Sequence, residues 1–163
     1  MATQKDKWER MEKEMIKKYL PKLKVLCKRE DLILDFVPIE INKRKNMNRK
    51  AGTWDGHKIT LYKSHFAGLT KETLVHELLH AFISQNNLQE QNKKSELFNK
   101  LVLNLNTKKF KIGSCHGAYL WKYKCKCGYG LRTNDRYKFG WSCCNCGTII
   151  KKATRNMTKE INF

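Results

Sequence analysis

His76 and His80 stand four residues apart, with Glu77 directly after the first, in TKETLVHELLHAFISQN, residues 70–86. Residues four apart share one face of a helix, so both imidazoles can reach a single metal ion. Glu77 falls beside that ion, where its carboxylate can take a proton from a bound water. This is the H-E-x-x-H spacing of zinc peptidases. Three fixed letters in five also recur by chance, and the plainer alternative is a helix that displays two histidines and a glutamate on its surface. The flanks argue for the metal: the segment is strongly helical, and no proline or glycine interrupts it.

A second group of donors lies near the other end of the chain. Cys125-Lys-Cys127-Gly and Cys143-Cys144-Asn-Cys146-Gly are two cysteine knuckles separated by YGLRTNDRYKFGWS. Four thiolates in two such pairs suit tetrahedral Zn2+ in a small ribbon of strands. The glycine after each knuckle permits the tight turn that brings backbone amides toward sulfur. In the second knuckle the two-residue spacing favours Cys143 and Cys146, leaving Cys144 a bystander. A four-thiolate site has no open position, so its role is structural. Cysteines left free in a hairpin are the alternative.

The elements that must position these residues can be read from periodicity. Leu74, Val75, Leu78, Leu79, Phe82 and Ile83 recur at spacings of three and four and predict a helix over 70–86. Thr70 can cap it, and Glu72 sits in its first turn, where the helix dipole favours a carboxylate. Residues 5–20 predict an amphipathic helix with Trp8, Met11, Met15, Tyr19 and Leu20 in one stripe, ended by Pro21. A second short helix is expected over 23–27. Residues 33–41, ILDFVPIEI, have strand composition, with Pro38 marking an edge or bulge. Residues 51–54 and 57–62 form a predicted hairpin around the Asp55-Gly56 turn. Ser95 is expected to cap a helix over 96–104 that turns Leu97, Phe98, Leu101 and Val102 inward. Residues 107–115 are a basic connection or short strand. Composition shifts near residue 120, and the last thirteen residues read as a loosely held basic tail. His57 and His65 fit surface or cleft positions better than a ligand role.

The chain has 163 residues, room for one domain and a small appendage. It contains no apolar run long enough to span a membrane, and MATQKDKWER lacks a secretory signal. An intracellular location, cytoplasmic or nucleoid-associated, and a monomer are the expectations. Clustered cysteines there point to metal more than to disulfides. Lys and Arg number 34 against 15 acids, a net charge of +19. That excess suits a polyanion, nucleic acid before others; a general lysine bias is the competing account. Residues 122–163 carry ten Lys/Arg against two acids. Lys122, Lys124, Lys126, Arg132, Arg136, Lys138 and Trp141 are the candidates for gripping phosphates and stacking on unpaired bases of DNA, single-stranded or mixed. The aromatics Tyr123, Tyr129, Tyr137, Phe139 and Trp141 could equally be the ribbon's own small core.

Taken together, AGTWD..KITL, TLVHELLHAFI, YKCKCG and WSCCNCG resemble, in this order, the SprT-like metallopeptidases, which include the Spartan DNA–protein crosslink proteases. The likeness spans about residues 10–150, and its C-x-C then C-x-x-C knuckles look like the bacterial branch. The resemblance implies an α+β fold: a minimal zincin-like domain with helices on a small antiparallel sheet (1–120), a zinc ribbon (121–152) and a basic tail (153–163). It implies zinc-dependent peptide hydrolysis on DNA-bound proteins, with one catalytic and one structural Zn2+. One departure stands out. The family's third ligand, a histidine of H-G-x-E-F/W, aligns without gaps on Lys93, a poor zinc ligand unless deprotonated. His116 can replace it from the segment leading into the ribbon. Alternatively Glu96 does so from the next helix, or the site is incomplete and the protein is a degenerate zinc-ribbon binder of nucleic acid. Base deamination is set aside, because its H-x-E and P-C-x-x-C elements are missing.

Overall fold

A computed structural model describes residues 2–42, 51–63, 69–88, 94–113, 121–133, 142–149, 153–155 and 161. The architecture is α+β: three helices pack on a small mixed sheet, and a second three-stranded sheet accompanies the cysteines.

Helix α1, Gln4–Cys27, is one continuous helix of 24 residues and not the two pieces expected. Thr3 caps it in a reciprocal box, accepting from the Asp6 N–H while the Asp6 carboxylate accepts from the Thr3 N–H. Pro21 does not end it. Tyr19, Leu23 and Cys27 extend the buried stripe of Trp8 and Met15 across the proline, and burial of that stripe offsets the missing N–H. The helix stops at Lys28, whose left-handed φ of 53° lets its N–H reach back to the last turn.

Residues 32–38 run extended without pairing in a sheet among the described residues. Their alternate N–H groups are taken by side chains. Asn86 accepts from Ile33, Gln85 from Asp35 and Glu12 from Val37, each at 2.9 Å. The strand expected over 33–41 thus becomes a sheet strand only at β1, Ile39–Asn42. Strands β2, Gly52–Trp54, and β3, Ile59–Tyr62, form the expected hairpin. Gly56 turns it with φ 100°, and the Asp55 carboxylate accepts from the His57 and Lys58 N–H groups. The sheet order is β1-β3-β2, with β1 parallel to β3. The expectation of an antiparallel sheet is corrected here: β3 enters between β1 and β2 and runs alongside β1.

Helix α2, Lys71–Gln85, is capped by Thr70, which accepts from the Thr73 N–H at 3.1 Å. Helix α3, Lys94–Leu105, begins one residue before Ser95, so Ser95 lies inside the first turn and is not the cap. The core gathers α1, the 32–39 segment, Ile59 and Leu61 of β3, and the inner faces of α2 and α3. Strands β4, Trp121–Lys124, β5, Gly130–Thr133, and β6, Ala153–Arg155, form the second sheet in the order β5-β4-β6. Two features revise the expected loose tail. Ala153–Arg155 pairs antiparallel with β4, and Ile161 is buried in the main core. Among the described residues no helix is long and apolar enough to cross a membrane.

Candidate metal centres

Helix α2 buries Leu74, Val75, Leu78, Leu79, Phe82 and Ile83, and this fixes the rotation that brings His76 and His80 to one side. Their Nε2 atoms lie 3.3 Å apart, with the rings nearly perpendicular at 73°. A tetrahedral zinc with Zn–N bonds near 2.0–2.1 Å has an N···N edge of about 3.3–3.4 Å. The pair therefore fits two corners of such a site. His76 Nδ1 sits 2.7 Å from the Gly113 carbonyl oxygen. A carbonyl only accepts, so Nδ1 carries the proton and Nε2 offers its lone pair. Burial lowers the His76 pKa, against the smaller opposing effect of the Gly113 carbonyl. The ring is consequently neutral at neutral pH, the form that binds metal.

Glu77 is buried beneath β2. A methyl group built on Gly52 would come within 2.9 Å of both Glu77 Cγ and Oε1, and within 3.0 Å of Thr73. Glycine at 52 is what lets the strand lie this close to the carboxylate. Phe98 of α3 closes the other side. Its ring stacks on His80 at 4.3 Å and 22°, and tilts against His76 at 4.6 Å. Sequence periodicity marked Phe98 as ordinary core; nothing in the spacing signalled that it would wall the histidines. Gly113 was equally invisible, because its part is played by a backbone carbonyl 37 residues from His76.

Among the described residues, no third carboxylate, thiol or imidazole converges with His76 and His80; the one set of three or more is elsewhere. Glu96, one expected candidate, instead faces Lys100 at 3.2 Å. Its place in the first turn of α3 leaves Phe98, not Glu96, against the imidazoles. His116 and Lys93 lie outside the described residues, as does His65. His57 is exposed in the β2–β3 turn.

The convergent set is Cys125, Cys127, Cys143 and Cys146, whose sulfurs all lie within 4.8 Å of one another. Cys125 and Cys146 are 3.4 Å apart, and Cys127 and Cys143 are 3.7 Å apart. These separations are too long for disulfides and close to the edge of a ZnS4 tetrahedron, about 3.8 Å for Zn–S near 2.3 Å. The four cysteines can thus hold a metal ion such as zinc. Each knuckle closes on glycine in the left-handed region, Gly128 at φ 88° and Gly147 at φ 72°. The Gly128 N–H donates to the Cys125 carbonyl, and the Gly147 N–H to that of Cys143. The Asn145 amide and the Tyr129 backbone N–H hold the Cys127 thiol down to about 6, and the Thr148 hydroxyl lowers Cys146. Cys127 is thereby thiolate-ready near neutrality. Cys144 is exposed and stands outside the set.

Of the candidate DNA contacts, Lys126 is exposed in the first knuckle. Lys122 and Arg132 are directly opposed in the β4–β5 register, and Lys124 faces Gly130. Arg136, Lys138 and Trp141 lie outside the described residues. No protein-family model matches this chain, and no curated protein matches it.

Proposed function

We propose that this protein is a zinc-dependent metalloendopeptidase of the SprT-like kind, a zincin-like core joined to a zinc ribbon, acting on DNA-associated proteins. The observation that carries the proposal is the His76–His80 pair, two Nε2 atoms 3.3 Å apart, with the buried Glu77 next to His76 in sequence. His76 and His80 would hold the catalytic Zn2+. His116 is the favoured third ligand, because it follows by three residues the Gly113 carbonyl that touches His76; three residues reach at most about 11 Å. Held there, Zn2+ would supply Lewis-acid activation of the scissile carbonyl and of a water. Glu77 accepts the proton from the attacking water on a carboxylate oxygen and delivers it to the leaving amine nitrogen.

A substrate backbone can be held by strand addition, which needs a free sheet edge. Strand β3 offers none, being flanked on both sides by β1 and β2. The edge nearest Glu77 is β2, through Gly52, and we assign substrate alignment to it. The net charge of +19 is what supports DNA as the partner.

A zinc-ribbon nucleic-acid binder without catalysis is the second reading. It is favoured by the completeness of the four-cysteine set beside a histidine site with two described ligands. Metal content separates the two: the hydrolase holds two zinc ions per chain, the binder one. Glu77→Gln should keep both ions and the fold while abolishing cleavage of a DNA-bound protein. Cleavage that persists in that variant removes Glu77 from the mechanism.

A further inference from the structure

We propose that Asn106 is the positioning residue of the histidine site, acting through the backbone of residues 112 and 113 on His76. Asn106 is the first residue after α3. Its Oδ1 accepts from the Ile112 N–H at 2.7 Å, and its Nδ2 donates to the Ile112 carbonyl at 3.2 Å. One side-chain amide thus clasps both polar groups of a residue six positions on. Its own N–H is tied to the Val102 carbonyl at 2.9 Å. Inside the loop, the Thr107 N–H donates to the Phe110 carbonyl at 3.0 Å, and the Phe110 N–H to the Thr107 hydroxyl at 3.1 Å. Ile112 is buried, and Phe110 packs toward Tyr19 with ring centroids 6.3 Å apart. Residues 106–112 therefore form a bracket fixed at both ends.

The residue directly after the clasp is Gly113, whose carbonyl receives the His76 Nδ1 proton at 2.7 Å. That bond decides which nitrogen of His76 is free. With Nδ1 protonated, the Nε2 lone pair points at the space shared with His80. With the clasp gone, the Gly113 carbonyl can swing away and the Nε2–H tautomer becomes available, which blocks that space with a proton. Partners beyond the ligands themselves set ring orientation and tautomer, and their loss typically lowers metal affinity about 10–100-fold. The tautomer assignment stands on geometry alone; its meaning for hydrolysis rests on the function proposed above.

The test uses the full chain, with histidine ring nitrogens labelled with 15N and the cysteines first filled with one equivalent of Zn2+. Long-range proton–nitrogen correlation reads the His76 tautomer, and visible absorption follows uptake of Co2+ as a second equivalent. Wild type should show protonated Nδ1. Asn106→Ala should show mixed tautomers and Co2+ uptake weakened about 10–100-fold. Asn106→Asp keeps the acceptor for the Ile112 N–H but loses the donor, and should give the intermediate result; it serves if the alanine variant does not fold. Ile59→Val, which removes a methylene from the core away from the bracket, should leave the tautomer unchanged. A folded Asn106 variant with the wild-type tautomer overturns the proposal. Failure of wild type to take up a second metal would sink the hydrolase reading, and the tautomer comparison would still decide the role of Asn106.

Discussion

Gly52 and Glu77 meet so closely that any side chain at 52 must displace the carboxylate. Gly52→Ala is expected to cost about 1–3 kcal/mol by overpacking and to reduce cleavage more than stability, since the displaced group is the proposed base; a urea titration alongside an activity assay separates the two. Glu12 is a second residue that packing makes unusual. It is fully buried, Oε1 takes the Val37 N–H, and among the described residues Oε2 meets no donor. Burial, against the opposing Val37 bond, pushes its pKa up to about 7 from 4.5. The folded state therefore binds the proton more tightly than the unfolded one. Stability is greatest below pH 4.5 on this account and is lost as pH rises through about 7, by an amount on the order of 3 kcal/mol. Glu12→Gln should flatten that slope and be the more stable protein at about pH 8, as measured by denaturant midpoints across pH. Neither Glu12 nor Gly52 was legible as special. Glu12 sits where helical periodicity places an apolar residue, and Gly52 looked like an ordinary strand glycine. The histidine pair was legible because its geometry is local: four residues make one helical turn. Gly113, Phe98 and Asn106 reach the site across the fold, and no spacing rule reports that.

At the level of elements, α2 and the β2–β3 hairpin follow from capping, turn chemistry and apolar spacing, and their expected positions agree with the structure to within a residue or two at the ends. Helix α1 does not, because a proline rule meets a longer-range effect. Pro21 leaves the Lys17 carbonyl without its helical donor, yet the buried residues on either side hold the helix together. Pro21→Ala at this exposed position should restore the bond and stabilise the protein by about 1–3 kcal/mol, raising the urea midpoint without changing its slope. The segment over 32–38 shows a different limit. Its strand-like composition is real, but its alternate N–H groups go to Glu12, Gln85 and Asn86. Amide and carboxylate side chains stand in for a neighbouring strand, which composition cannot foretell. Sheet order is of the same kind: a hairpin signal fixes the β2–β3 pairing but not which side β1 joins.

For the molecule as a whole, the four cysteines make a clear claim on metal, and removing it should have a bounded effect. Chelation is expected to strip hydrogen-exchange protection from β4 and β5, whose turn the first knuckle closes, while α2 and the inner face of α3 stay protected. DNA affinity, if the ribbon grips phosphates, should fall linearly on a log–log plot against salt concentration. A flat plot would assign the charge of +19 to something other than nucleic acid. Ile161 also shapes this scale. It is buried in the same core as Ile112, so the polypeptide leaves that core, builds the cysteine sheet and comes back. The cysteine-bearing module is therefore an excursion moored at two points, not a pendant on one string. Two attachments limit how far the cysteine module can stray from the core more than one would. Ile161→Asp would cut the second mooring: the core should lose stability, and the module's amide relaxation should shift toward that of an independently tumbling unit.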